Sequence, residues 1–148
     1  MANLLNEDIH KQLSEIFHEL EKPVVLLFFS DKKELCDNCE QTIQLLKEVA
    51  STTDKIIIKQ SSLEEDAKTA EKYLIDKTPA IAVCVQDGDS LIDHGIRFYG
   101  VPSGMEFETF IQTILMVSKG EQGLEKETIA FLKDLKEPVH LQVFVTPT

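Results

Sequence analysis

Apolar residues recur along this chain at two spacings, and the switches between them mark its elements. Ile9, Leu13, Ile16, Phe17 and Leu20 fall at helical spacing behind Asn6, a capping residue followed by the acids Glu7 and Asp8. Lys22-Pro23 ends that element. The run VVLLFFS, Val24 to Ser30, is apolar without alternation, which predicts a central strand covered on both faces. Ile43, Leu46, Val49 and Ala50 mark a second amphipathic helix, and KIIIK, Lys55 to Lys59, reads as another buried strand. Ser62 with Glu65 spells a capping box for a short helix through Ala67, Ala70 and Leu74. The segment TPAIAVCV opens a third strand after Pro79, QDGDS (Gln86 to Ser90) signals a turn, and LIDHGIRFYG supplies the fourth strand of a hairpin. Ser103 and Glu106 form a second capping box ahead of Phe107, Phe110, Ile111, Ile114 and Leu115.

The order α-β-α-β-α-β-β-α predicts an α/β fold with a mixed central sheet flanked by helices, preceded by an extra N-terminal helix. Past Gly120 and Gly123, Leu124, Thr128, Phe131 and Leu135 share one stripe of a short helix, and Val139 to Val145 reads as a further strand. The expected division is residues 1–119 as one unit and 120–148 as an extension of helix and strand. An apolar strand without a neighbour is expected to pair with the sheet or with a second copy, which would give a homodimer through this strand.

At 148 residues the chain is long enough to bury one domain's core without staples. Its formal charge of −11 repels nucleic acid and anionic membrane, so neither is expected as a partner. No signal-like leader and no apolar span of about 20 residues is visible, which makes the cytoplasm the expected compartment. In a reducing compartment three cysteines are no structural framework, so a close pair reads as redox-active or metal-binding.

That pair is Cys36 and Cys39 in ELCDNCEQ. Two residues at i and i+3 on a helix lie about 5–6 Å apart, within disulfide range. Cys39 continues the stripe of Ile43, Leu46 and Ala50 and is expected to be buried. Cys36, at the cap, is expected to be the exposed nucleophile, its thiolate favoured by the helix terminus, with Cys39 as the resolving thiol. Two other readings stand beside this one: small apolar fillers, or half of a zinc site. The zinc reading lacks its other half. His10, His18, His94 and His140 have no ligand-like spacing, and Cys84 sits inside a strand that reads as core. Glu34, Asp37 and Glu40 disfavour a thiolate at Cys36, whereas Lys32 and Lys33 favour it. The two sets roughly offset, so the thiol is expected to be only mildly acidified and the couple to serve reduction or relay, not strong oxidation.

CxxC at a helix start after a buried strand, with Thr78-Pro79 opening a later strand, resembles the thioredoxin fold. IRFYGVPSGMEFETFIQTILMVSKG followed by KEPVHLQVFVTPT resembles, more narrowly, two groups of double-thioredoxin proteins. These are the glutaredoxin-like protein disulfide oxidoreductases and the N-terminal domain of the alkyl hydroperoxide reductase flavoprotein. The resemblance implies that Pro79 is cis beside the disulfide, that Thr78 offers backbone groups to an extended substrate, and that residues 120–148 lead into a second unit. It also implies protein disulfides, a flavin-dependent reductase or a peroxiredoxin as partners. Any FAD or NADH would sit on a fused or partner reductase, since no GxGxxG is present here.

Two departures from the family pattern stand out. Leu27 matches the position where thioredoxin itself carries a buried carboxylate, and Leu35 replaces the usual aromatic residue before the first cysteine. In the flavoprotein relatives the first unit usually lacks cysteines, so a non-catalytic docking module is the alternative reading.

Overall fold

The computed structural model describes residues 3–32 and 36–145. The leading helix, α1 (Glu7–Ile16), begins where Asn6 predicts: the Asn6 side chain accepts the Ile9 N–H at 2.8 Å. After a 3₁₀ turn (Phe17–Glu19) come β1 (Val24–Ser30), α2 (Cys39–Ala50), β2 (Ile56–Ser62) and α3 (Ala67–Lys72). They are followed by β3 (Ala80–Asp87), β4 (Ser90–Tyr99), α4 (Met105–Lys119) and α5 (Lys126–Lys133). The sheet order is β2-β1-β3-β4, with β1 parallel to β2 and the other two pairings antiparallel. The mixed sheet flanked by helices is therefore as the residue pattern implies.

β1 lies between two neighbours and is buried on both faces. Val24, Leu26 and Phe28 point into the larger core with Leu13, Phe17, Leu46, Phe110, Ile114 and both cysteines of the CxxC pair. Val25, Leu27 and Phe29 point the other way, into a smaller cluster roofed by Ala70, Tyr73 and Ile75. β2, expected to be buried throughout, is an edge strand instead. Only Ile56 is buried, and the strand runs on through polar Lys59 to Ser62.

Both expected capping boxes give way to other caps. Asp66 caps α3, accepting the Thr69 N–H, while Ser62 closes β2 and its hydroxyl serves only the turn at Glu64 and Glu65. Leu74 therefore falls outside α3, exposed and at φ +55°. Gly104, not Ser103, is the N-cap of α4, and Gly120 closes that helix at φ +69°, a conformation glycine adopts without steric cost.

The C-terminal extension departs furthest from its pattern. α5 forms but buries no residue, and Val139–Val145 makes no strand; Leu141, Val143 and Phe144 are each more than 80% exposed. A strand exists only as part of a ladder, and among the described residues no partner is aligned with this segment. No helix among the described residues is long and apolar enough to cross a membrane.

The junction between α4 and β1 rests on Ser118. Its buried hydroxyl accepts the N–H groups of Glu21 at 2.9 Å and Lys22 at 3.1 Å and donates to the Lys22 carbonyl at 2.6 Å. Ser118→Ala strands those buried groups and is expected to cost about 2 kcal/mol. The corresponding fall in Tm is roughly 4–8 °C, read by thermal and urea unfolding with an unchanged m-value. Phe131→Ser on the exposed face of α5 is expected to stay within about 0.5 kcal/mol of the parent.

Candidate thiol–disulfide site

The site begins at the C-terminal end of β1, where the chain leaves the sheet and turns into α2. Cys36 and Cys39 are joined in a disulfide with their Cα atoms 5.5 Å apart. Asn38, not Cys36, is the N-cap residue, and its carbonyl accepts both the N–H and the hydroxyl of Thr42, at 2.9 and 2.7 Å. Cys39 is thus the first residue of α2, and Cys36 lies in the turn before it.

This placement corrects the expected exposure. Cys36 is 5% exposed and Cys39 8%, so both sulfurs belong to the larger core and neither is the open thiol of the pair. Being outside the helix does not expose Cys36, because the turn folds it down against that core. The carboxylate comparison is corrected too. Leu27 faces the smaller cluster, away from the disulfide, and Leu26 and Phe28 are the β1 residues that share the cysteines' side. Strand alternation decides the matter, since a one-residue offset moves a side chain to the other face. Among the described residues the buried polar side chains are Thr42, Thr113 and Ser118, none of them an acid.

The charges expected to act on the thiolate are partly engaged elsewhere. Lys32 pairs with Glu64 at 2.8 Å, both well exposed. Lys33, Glu34 and Leu35 lie outside the described residues.

Thr78 and Pro79 join the site through topology. β3 starts at Ala80 opposite Phe29, so Pro79 stands at the end of the sheet from which β1 leads to Cys36. The Thr78–Pro79 peptide is cis, and the Pro79 carbonyl accepts the Gly100 N–H at 2.9 Å. Exposed Lys77 lies over the Tyr99 ring, 5.8 Å from its centroid, beside this opening.

Cys84 takes no part in the pair. It is a free, fully buried thiol on β3, its pKa pushed up to about 11 by burial first and then by the Asp93 charge. No group of three or more His, Cys, Asp or Glu among the described residues is placed to hold a metal ion.

Relatives and solved structures share this architecture, although no family model matches the chain. It is 31% identical over 148 residues to the alkyl hydroperoxide reductase protein AhpF of Staphylococcus epidermidis, covering 98% of this chain and 25% of that protein. The chain therefore spans about a quarter of the length of the curated relatives it matches. The NTD_N/C domain of alkylhydroperoxide reductase AhpF from Enterococcus faecalis superposes with a TM-score of 0.73 at 29% identity. That match covers 83% of this chain and 57% of the other. A protein disulfide oxidoreductase from Aeropyrum pernix gives a TM-score of 0.76 at 26% identity, covering 88% and 55%.

The contrast between the two kinds of cysteine is open to a direct check. After reduction, iodoacetamide at pH 8 is expected to label Cys36 and Cys39 in the folded protein and Cys84 only in denaturant, read by intact mass. Three labels without denaturant would contradict the burial of Cys84.

Proposed function

The chain is a thioredoxin-fold homologue of the N-terminal domain of AhpF and of a protein disulfide oxidoreductase, and from that premise we propose that it is a thiol–disulfide relay module. One observation carries the reading: a Cys36–Cys39 disulfide at the start of the helix that follows the central strand, at the sheet end that also holds Thr78 and Pro79.

In the reducing direction the Cys36 thiolate attacks a substrate disulfide, forms a mixed disulfide and releases one substrate thiolate. The Cys39 thiolate then attacks the Cys36 sulfur, closing the intramolecular disulfide and releasing the second substrate thiolate. Two electrons pass to the substrate, and an external dithiol or a flavin-dependent reductase restores the pair. Attack is assigned to Cys36 because it lies in the turn, where displacement costs no helical hydrogen bond, whereas Cys39 is fixed in the first turn of α2. The backbone at Thr78 and Pro79 is assigned to hold the substrate segment.

The partners that fit are protein disulfides, a flavin-dependent reductase carrying FAD and NADH, or a peroxiredoxin, all in the cytoplasm. We divide the chain into a thioredoxin-like unit, 1–119, and a segment, 120–148, that leads toward a second unit. The exposed run at Val139–Val145 is taken to pair with another strand, a second copy being one source. A second reading keeps the fold as a docking module with passive cysteines; the burial of both sulfurs favours it.

Insulin reduction by dithiothreitol separates the two. The relay module accelerates it, Cys36→Ser abolishes the acceleration, and Cys39→Ser accumulates a mixed disulfide visible on a non-reducing gel. An acceleration that is absent, or that survives Cys36→Ser, leaves the docking module as the function.

A further inference from the structure

The segment between α3 and β3, residues 73–79, ends in Thr78 and Pro79, and both of its ends are tied to the last part of β4. At the far end the Gly100 N–H holds the Pro79 carbonyl. At the near end the tie is a side chain. Arg97 Nε donates to the Tyr73 carbonyl at 3.1 Å, and the guanidinium lies over the Tyr73 ring, 5.6 Å from its centroid. Tyr73 in turn packs against Phe29 of β1.

Arg97 is itself held on the opposite side. Its two terminal nitrogens fork onto the Asp93 carboxylate at 2.8 and 2.7 Å, and Nη1 also reaches the Ile96 carbonyl. In a regular strand, residues four apart are separated by roughly 13 Å and could not make such a fork. Here β4 bulges: Arg97 pairs with Ala82 and Asp93 with Cys84, so three residues of β4 stand against one of β3. Gly95 sits in the bulge at φ +81° and donates its N–H to Asp93 Oδ1 at 2.9 Å. The bulge thus brings Asp93 back onto Arg97, and the pair is mostly buried, with side chains 28% and 14% exposed. A bidentate, partly buried pair of this kind fixes a guanidinium far better than an exposed ion pair does.

We propose that Arg97 is a positioning residue of the thiol–disulfide site, held by Asp93 so that its Nε–H and ring contact fix Tyr73 and the segment presenting Thr78 and Pro79 to a substrate. The inference rests on the relay reading for its functional half and on geometry alone for its structural half, and the two are tested separately. Arg97→Met removes the tie without removing a cysteine or a group at Thr78 or Pro79. Amide hydrogen exchange at Ile75, Asp76, Lys77 and Thr78 is expected to rise at least tenfold while amides of β1 and α2 keep their protection. In insulin reduction, KM is expected to rise about tenfold, the effect of one lost charge-assisted hydrogen bond on positioning, with kcat within about twofold. Asp93→Asn, which keeps the guanidinium but loosens the fork, is expected to move both readouts the same way by less, and to add nothing to Arg97→Met.

If Arg97→Met fails to fold, Asp93→Asn alone decides. Unchanged exchange in the segment overturns the proposal, as does faster exchange with KM unmoved. A parent protein inert toward insulin, with exchange still raised in the variant, refutes the relay reading while leaving the tie between β4 and the segment standing.

Discussion

Everything at the working end of this molecule depends on β1 being apolar on both faces. A strand that alternated would need cover on one side only, and the sheet could lie open on the other. VVLLFFS offers no polar face, so helices must close both sides. Burying side chains of this size contributes roughly 1.5–3 kcal/mol each, which fixes β1 at the centre and leaves the edges to the more polar β2 and β4. Once β1 is central and parallel to β2, the connection between them must cross over one face, and α2 is that crossover. The turn from β1 into α2 then falls at the sheet's end, and the two cysteines occupy it.

The two layers that cover β1 are unequal, and the inequality explains where charge enters the structure. On the cysteine side α1, α2 and α4 supply large apolar residues such as Leu13, Leu46 and Phe110. On the other side α3 has only six residues, and its cluster leans on alanines, Tyr73 and Ile75. A small apolar roof leaves strand edges near water. Arg97 completes the cover with its stem and guanidinium, at the cost of needing a counter-charge, which the β4 bulge brings to it as Asp93. The Asp93 carboxyl is held below the usual carboxylate range chiefly by its hydrogen bond from Arg97. The packing requirement and the tie to the Thr78–Pro79 segment are therefore met by one side chain.

Most of this is legible in the residue pattern, and the exceptions share a physical reason. β1, α1 with its Asn6 cap, and the β3–β4 hairpin follow from local signals that tertiary contacts do not oppose. The cis Thr78–Pro79 bond follows from the family resemblance. Ser62-Glu65 and Ser103-Glu106 have the right spelling for capping boxes, but β2 and the turn before α4 claim the two serines first. The depth of Cys36 is illegible because helical periodicity describes α2 and not the turn preceding it. Leu27 falls on the face away from the cysteines, which only the register of β1 against β3 reveals. The Arg97 tie can be anticipated only in part: Gly95 inside a strand pattern signals a bulge, but which side chains the bulge joins is a matter of three dimensions.

The composition of the site also bears on how protons move through it. Exchange through a dithiol needs each attacking sulfur deprotonated, and the mixed disulfide is resolved only when Cys39 gives up its proton. The β1 residues on that side are Val24, Leu26 and Phe28, and no acid among the described residues is buried near them. Nor does the thiolate gain a nearby cation from Lys32, which is paired with Glu64. The proton from Cys39 must therefore leave with solvent or with the departing substrate thiolate, and water reaches a buried sulfur only when the turn at residues 36–38 opens. Docking of a substrate and opening of that turn are for this reason one event rather than two. A site sealed this way is slow toward small oxidants and is released by a partner large enough to displace the turn, which favours protein disulfides over free thiols as the traffic through Cys36 and Cys39.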